Sequence, residues 1–132
     1  DILINKYKGK LKNKKLLLMG VSYIAEVGDT RNSPSEIFYR KVVKQGAIVD
    51  CHDPYVNYWN ELDINVLEKL PKFDKYDVIV LAVAHKSYLG LNYINLISKN
   101  NKTILFDTNG VLSKLEVNHI KTKNIKLLTI GR

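Results

Sequence analysis

Several residue types are scarce in this 132-residue chain, and each scarcity narrows the reading. There is one cysteine, Cys51, so no internal disulfide can form; the chain has to hold itself together with an apolar core and suits a reducing compartment. Arginine is rare too, since only Arg31, Arg40 and Arg132 of the 21 basic residues are not lysine. No apolar run approaches the ~20 residues that a membrane span needs, and no signal-peptide pattern is present; a cytoplasmic location without membrane partners is the expectation. Three histidines (His52, His85, His119) and one cysteine lack the paired spacing of a zinc site, so no metal is expected. No G-x-G-x-x-G follows a strand, which argues against a dinucleotide cradle in this stretch. Only one methionine, Met19, occurs, inside an apolar strand, and Asp1 comes first, so the sequence reads as a piece of a longer protein.

What remains is ordinary globular material, 45% hydrophobic and 26% charged, enough for one domain. The net charge of +8 comes from lysine, crowded at Lys6, Lys8, Lys10, Lys12, Lys14 and Lys15. Such a run invites a nucleic-acid reading. No aromatic platform is interleaved with these lysines, so residues 1–13 are taken as the end of a preceding helix and a solvated basic linker, with no nucleic-acid partner.

From residue 14 onward, apolar runs alternate with helical patterns. Strands are expected at Lys15–Val21, Ala47–Cys51, Val78–Ala84, Thr103–Asp107 and Lys126–Ile130. Helices are expected at Pro34–Gln45, where Phe38/Val42 and Tyr39/Val43 recur at i, i+4, and at Leu91–Lys99. A short helix near Ile64–Leu70, capped by Asp63, is expected inside an otherwise irregular stretch. Leu112–His119 reads as short helical or irregular. Continuous apolar strands between helices predict a three-layer, Rossmann-like α/β domain around a five-stranded parallel sheet, expected order 3-2-1-4-5. Sites in such sheets lie beyond the carboxyl ends of the strands, at the topological switch point.

The informative stretch is Gly20–Pro34, G-V-S-Y-I-A-E-V-G-D-T-R-N-S-P. Ser33 is a good N-cap, Pro34 suits the first turn, and Glu36 completes a capping-box pattern. A helix start of this kind attracts anions, and Arg31 stands two residues before the cap with a fork suited to phosphate. An ion pair between Arg31 and Asp29 is the plainer reading. His85, just past the third strand, reads either as a ligand or interdomain contact or as a turn-stabilising histidine. Cys51, next to His52, reads as packing, because a nucleophilic cysteine needs a base from another element.

The spacing of Gly20, Tyr23, Asp29, Arg31, Ser33 and Pro34 resembles the signature opening the C-terminal domain of the UDP-glucose/GDP-mannose dehydrogenase family. The form V-S-Y-x-x-x-V-G-D-T-R-x-S-P is closest to the branch acting on UDP-N-acetylhexosamines. Asp53-Pro54-Tyr55-Val56 resembles that family's D-P-Y-V element, and Gly131-Arg132 its ending. The resemblance implies that residues 14–132 are a UDP-binding C-terminal domain of an NAD-dependent 6-dehydrogenase. Such enzymes oxidise the sugar C6-OH to a carboxylate, as in glycan precursor synthesis. It implies that NAD, the catalytic cysteine and the catalytic lysine belong to absent N-terminal and central domains. No catalytic residue is then expected in this chain, the fragment alone is inactive, and the full enzyme is a homo-oligomer. By the same resemblance Arg31 reaches the cofactor, while Tyr23, Ile24, Asn109 and Gly110 lie at the UDP-sugar. Ile24 stands where the family usually has lysine or arginine, and Asn109 where it usually has arginine in D-T-R-G. Those departures motivate an alternative, a stand-alone binding or scaffolding module that has lost the nucleotide site.

Overall fold

Four apolar residues, Leu16 to Met19, leave no polar face, so this segment is stable only when covered on both sides. In a computed structural model describing residues 10–97 and 102–130, it forms β1 (Lys15–Met19) inside a five-stranded parallel sheet. Helix α1 (Pro34–Lys44) leads to β2 (Ile48–His52); β3 (Val78–Leu81) follows a long connection. The chain continues through α2 (Tyr93–Leu96), β4 (Ile104–Asp107), α3 (Lys114–Lys121) and β5 (Lys126–Thr129). Successive side chains of β1 alternate between two cores. Leu16 and Leu18 pack on the α1 side with Val42, Val80, Phe106 and Trp59. Leu17 and Met19 face the other side with Leu81, Leu105, Tyr93, Val117 and Ile120.

The strand order is β2-β1-β3-β4-β5, which corrects the expected 3-2-1-4-5. Leu16 pairs with both Val49 and Val78, so β3 lies against β1 rather than beyond β2. The composition of β2 supplies the reason: Ile48 and Asp50 are exposed, which a strand tolerates at an edge and not at the centre. The centre goes to β1, β3 and β4, the strands with the most continuously buried runs.

The short helix expected at Ile64–Leu70 is absent. Tyr58–Trp59 instead pairs antiparallel with Ile64–Asn65, and Leu67 bridges to His52. Leu62, Ile64 and Val66 alternate, a period of two, and Asp63 takes a turn conformation with φ 54° instead of capping a helix. The capping box at Ser33 is also incomplete. Ser33 Oγ accepts from Ser35 N–H at 3.2 Å, but the Ser33 N–H donates to Thr30 O and Glu36 turns to Arg40 at 3.0 Å. A full box forms at Ser113 and Glu116, in a segment whose helicity the sequence left open. Of the helix expected at Leu91–Lys99, Tyr93–Leu96 is formed, and Ser98–Lys99 lies outside the described residues, as do residues 1–9 and Gly131–Arg132.

Candidate functional site

The loop after β1 is held in place by backbone donors meeting buried acceptors. Gly20 turns the chain at φ +105°, and a Cβ there would stand 2.9 Å from Val83 N, so the close approach of the β3 exit requires glycine. Asp53, fully inside, accepts from Val21 N–H at 2.9 Å, Ser22 N–H at 3.1 Å and Ser22 Oγ–H at 2.8 Å. Its other oxygen takes Tyr55 N–H at 2.8 Å. Burial pushes this carboxyl up, but the bonds from Tyr55, Val21, Ser22 and His85 outweigh it and leave its pKa below the ordinary value. His85, also buried, accepts Glu26 N–H on Nδ1 at 3.0 Å and so carries its proton on Nε2, which donates to Asp53 at 3.0 Å. The D-P-Y-V aspartate and the histidine after β3 thus anchor one loop from two strands, the turn-stabilising reading of His85.

Beyond the carboxyl ends of β1, β3 and β4, on the α1 side, opens a cleft of about 470 Å³. Phe38 of α1, Val80, Val83 and Phe106 make its apolar floor; Ser22, Tyr23, Ser35, Thr108 and Asn109 give it a polar rim. Tyr23 and Asn109, far apart in sequence, line this cleft together across the exit of β3. With β3 between them, the two loops face each other instead of lying side by side as the expected strand order implied. Ile24, half-exposed, and Gly110 are not among the cleft residues. The lining residues Phe38, Val80, Phe106 and Ile130 carry no sequence signal of a site; only their strand and helix positions, known after folding, bring them there.

Arg31 lies elsewhere. Its exposed guanidinium pairs with Asp29 through Nε at 3.0 Å and Nη2 at 2.7 Å, and those hydrogen bonds push the Asp29 carboxyl down to about 2. It borders a separate shallow depression with Glu36, Ile37 and Glu61. The start of α1 is partly plugged by protein, since Ser35 N–H is taken by Ser33 Oγ and Glu36 N–H by Ser33 O. Burial pushes the Cys51 thiol up to about 12, which makes it inert packing. Among the described residues no cluster of three or more His, Cys, Asp or Glu is placed to hold a metal ion.

Residues 17–114 match the model of the UDP-glucose/GDP-mannose dehydrogenase family, UDP binding domain. The chain belongs to that family. It is 31% identical over 107 residues to a UDP-N-acetyl-D-mannosamine dehydrogenase of Methanocaldococcus jannaschii, covering 76% of this chain and 23% of that protein. A Methanococcus maripaludis UDP-N-acetyl-D-mannosamine dehydrogenase is 27% identical over 105 residues, 77% of this chain and 24% of its own length. The crystal structure of an NDP-N-acetyl-D-galactosaminuronic acid dehydrogenase from Methanosarcina mazei superposes with a TM-score of 0.77 at 27% identity, over 99% of this chain and 27% of that one. The chain therefore spans about a quarter of the length of the relatives it matches. The UDP binding domain match reaches from β1 to the start of α3, and so includes Tyr23, Arg31 and Asn109.

Proposed function

We propose that this chain is the nucleotide-sugar-binding C-terminal domain of an NAD-dependent UDP-N-acetylhexosamine 6-dehydrogenase, UDP-N-acetylmannosamine being the favoured substrate. The oxidation of C6-OH to a carboxylate takes place on other domains, which carry NAD and the catalytic residues, so the fragment by itself turns nothing over. One observation carries the reading: in a chain matched by the UDP binding domain, Tyr23 and Asn109 meet at a cleft beyond the strand ends. Clefts in this position are where doubly wound sheets hold their ligands. Arg31, exposed beside the same loop, is the residue assigned to the cofactor at a domain boundary. Ile24 and Gly110 flank the cleft residues Tyr23 and Asn109 in sequence and are assigned to the substrate through their backbones. Full-length protein is expected to be a homo-oligomer acting in the cytoplasm, with no nucleic-acid or membrane partner.

The test is a titration of this chain with UDP and UDP-N-acetylmannosamine followed by amide NMR. Shifts at Ser22, Tyr23, Thr108 and Asn109 are expected, and Tyr23→Ala should weaken binding about tenfold. Absence of shifts around the cleft at millimolar ligand overturns the assignment. The second reading, a module that kept the fold without the ligand, is favoured by Ile24 and Asn109 standing where cations are usual. It predicts that same silence, together with a natural reading frame that carries no upstream dinucleotide-binding domain.

A further inference from the structure

We infer that Glu26 and His85 form a proton-operated latch that sets the tip of the Gly20–Pro34 loop, and through it the site. The tip, residues 24–28, is closed at its neck by Tyr23 N–H donating to Asp29 O at 2.6 Å. Glu26 stands at φ 64°, a left-handed conformation that a residue with a Cβ keeps only when something else holds it. His85 does so, its Nδ1 accepting the Glu26 N–H at 3.0 Å.

The same nitrogen also faces the Glu26 side chain. Oε2 lies 3.5 Å from it, buried and without a hydrogen bond among the described residues. Because Nδ1 gives its lone pair to the N–H, two acceptors confront each other with no proton between them. One proton from solvent completes this arrangement. A protonated Nδ1 no longer accepts the Glu26 N–H and donates to Oε2 instead. The backbone N–H then faces another N–H and has to turn away, so the tip is rehung from a side chain.

The surroundings of the ring supply both signs. Asp53, from beyond β2, holds Nε2 at 3.0 Å, and the rings of Tyr55 and Tyr88 lie 5.2 and 5.4 Å away between centres. Burial pushes the Glu26 carboxyl up, but the Tyr55 hydroxyl, the Lys86 N–H and the charges of His85 and Lys86 outweigh it. Its pKa lies below the ordinary 4.5, so Glu26, like Asp53, is a carboxylate at neutral pH. These two attract a second proton to the ring; burial of the ring, Lys86 and a charged His52 oppose it. Half-exposed Ile24 and Val27 ride on the tip, and Tyr23 at its neck lines the cleft. That last link, from latch to ligand, rests on the function proposed above.

Imidazole nitrogen NMR of this chain, from about pH 8 toward about pH 5, tests the latch without ligand. Nδ1 of His85 is expected to be unprotonated at the start and to gain a proton on acidification while Nε2 keeps its own. The Glu26 and Val27 amides should move with the same midpoint. Glu26→Gln removes the facing charge and should lower that midpoint by about one pH unit. UDP is then titrated at about pH 8 and about pH 5.5. Its affinity should fall at least about threefold more in the wild type than in Glu26→Gln, the ionisation of its own phosphate being common to both. An Nδ1 that stays unprotonated until the chain unfolds, or a midpoint that Glu26→Gln does not move, overturns the latch. So do Glu26 and Val27 shifts that vanish in His52→Gln. Equal pH dependence of UDP affinity in the two proteins overturns its reach to the site. Silence toward UDP at either pH, with the nitrogens titrating as expected, overturns the proposed function and leaves the latch standing.

Discussion

At the residue scale, the loop that frames the cleft depends on one buried carboxylate. Asp53 satisfies two backbone donors of the loop, a serine hydroxyl, His85 and its own turn. Asp53→Asn replaces an acceptor oxygen by an amide that faces donors, and should cost about 3 kcal/mol in urea unfolding. A neutral swap at exposed Asp50, whose single bond is from Tyr76, is the control and should cost less. The pH dependence has two legs. Burial holds the His52 pKa below its ordinary value of 6.5, so on acidification the unfolded chain takes up that proton first and stability falls from about pH 6.5 downward. The Asp53 pKa also lies below its ordinary 3.8; its contribution is complete above that value and is lost as pH falls further toward the folded-state pKa. Stability measured from pH 8 to pH 3 should therefore decline in two stages, and His52→Gln should remove the upper one. Arg31 shows what spacing leaves open at this scale: a phosphate fork and an ion pair with Asp29 both fitted the sequence, and the folded loop takes the ion pair.

At the element scale, helix starts that look alike in sequence differ in the folded chain. Ser33 and Glu36 have capping-box spacing, but the Ser33 N–H is already bonded to Thr30 O, so Glu36 turns to Arg40 on the surface. Ser113 and Glu116 complete their box, Ser113 N–H reaching Glu116 at 3.0 Å and Glu116 N–H reaching Ser113 Oγ at 3.1 Å. Glu116→Ala should thus cost about 1 kcal/mol, and Glu36→Ala within about 0.5 kcal/mol, as thermal unfolding of the two variants can check. Strands were legible because their apolar runs are continuous; the Tyr58–Asn65 hairpin was not, because two-residue strands are too short for periodicity to separate from a helical turn.

At the scale of the whole molecule, the parallel sheet sorts charge. Lys12 stands before β1 and Lys15 opens it, Lys44 ends α1, Lys72 and Lys75 precede β3, Lys102 precedes β4, and Lys123 precedes β5, which Lys126 opens. Because all the strands run the same way, these exposed lysines gather at the amino edge, away from the cleft. None of them forms an ion pair among the described residues. Like charges so placed repel, and salt screens that repulsion. The melting temperature should rise by roughly 2–5 °C between about 20 and about 300 mM NaCl, whereas a fold held by surface ion pairs would lose stability.

Local pattern alone determined that this chain alternates apolar strands with helices, that Gly20–Pro34 leads from a strand to a capped helix, and that Cys51 is packing, while the family was legible only as a resemblance. Periodicity, caps and glycine act over a few residues, so they survive in a one-dimensional reading. Tertiary structure decided that β2 takes the edge, that β3 separates the loops carrying Tyr23 and Asn109, and that the hydroxyl protons of the cleft point inward. Those outcomes depend on partners tens of residues away, such as Asp53 for Ser22 and Leu81 for Thr108, whose positions exist only once the sheet has closed around its core.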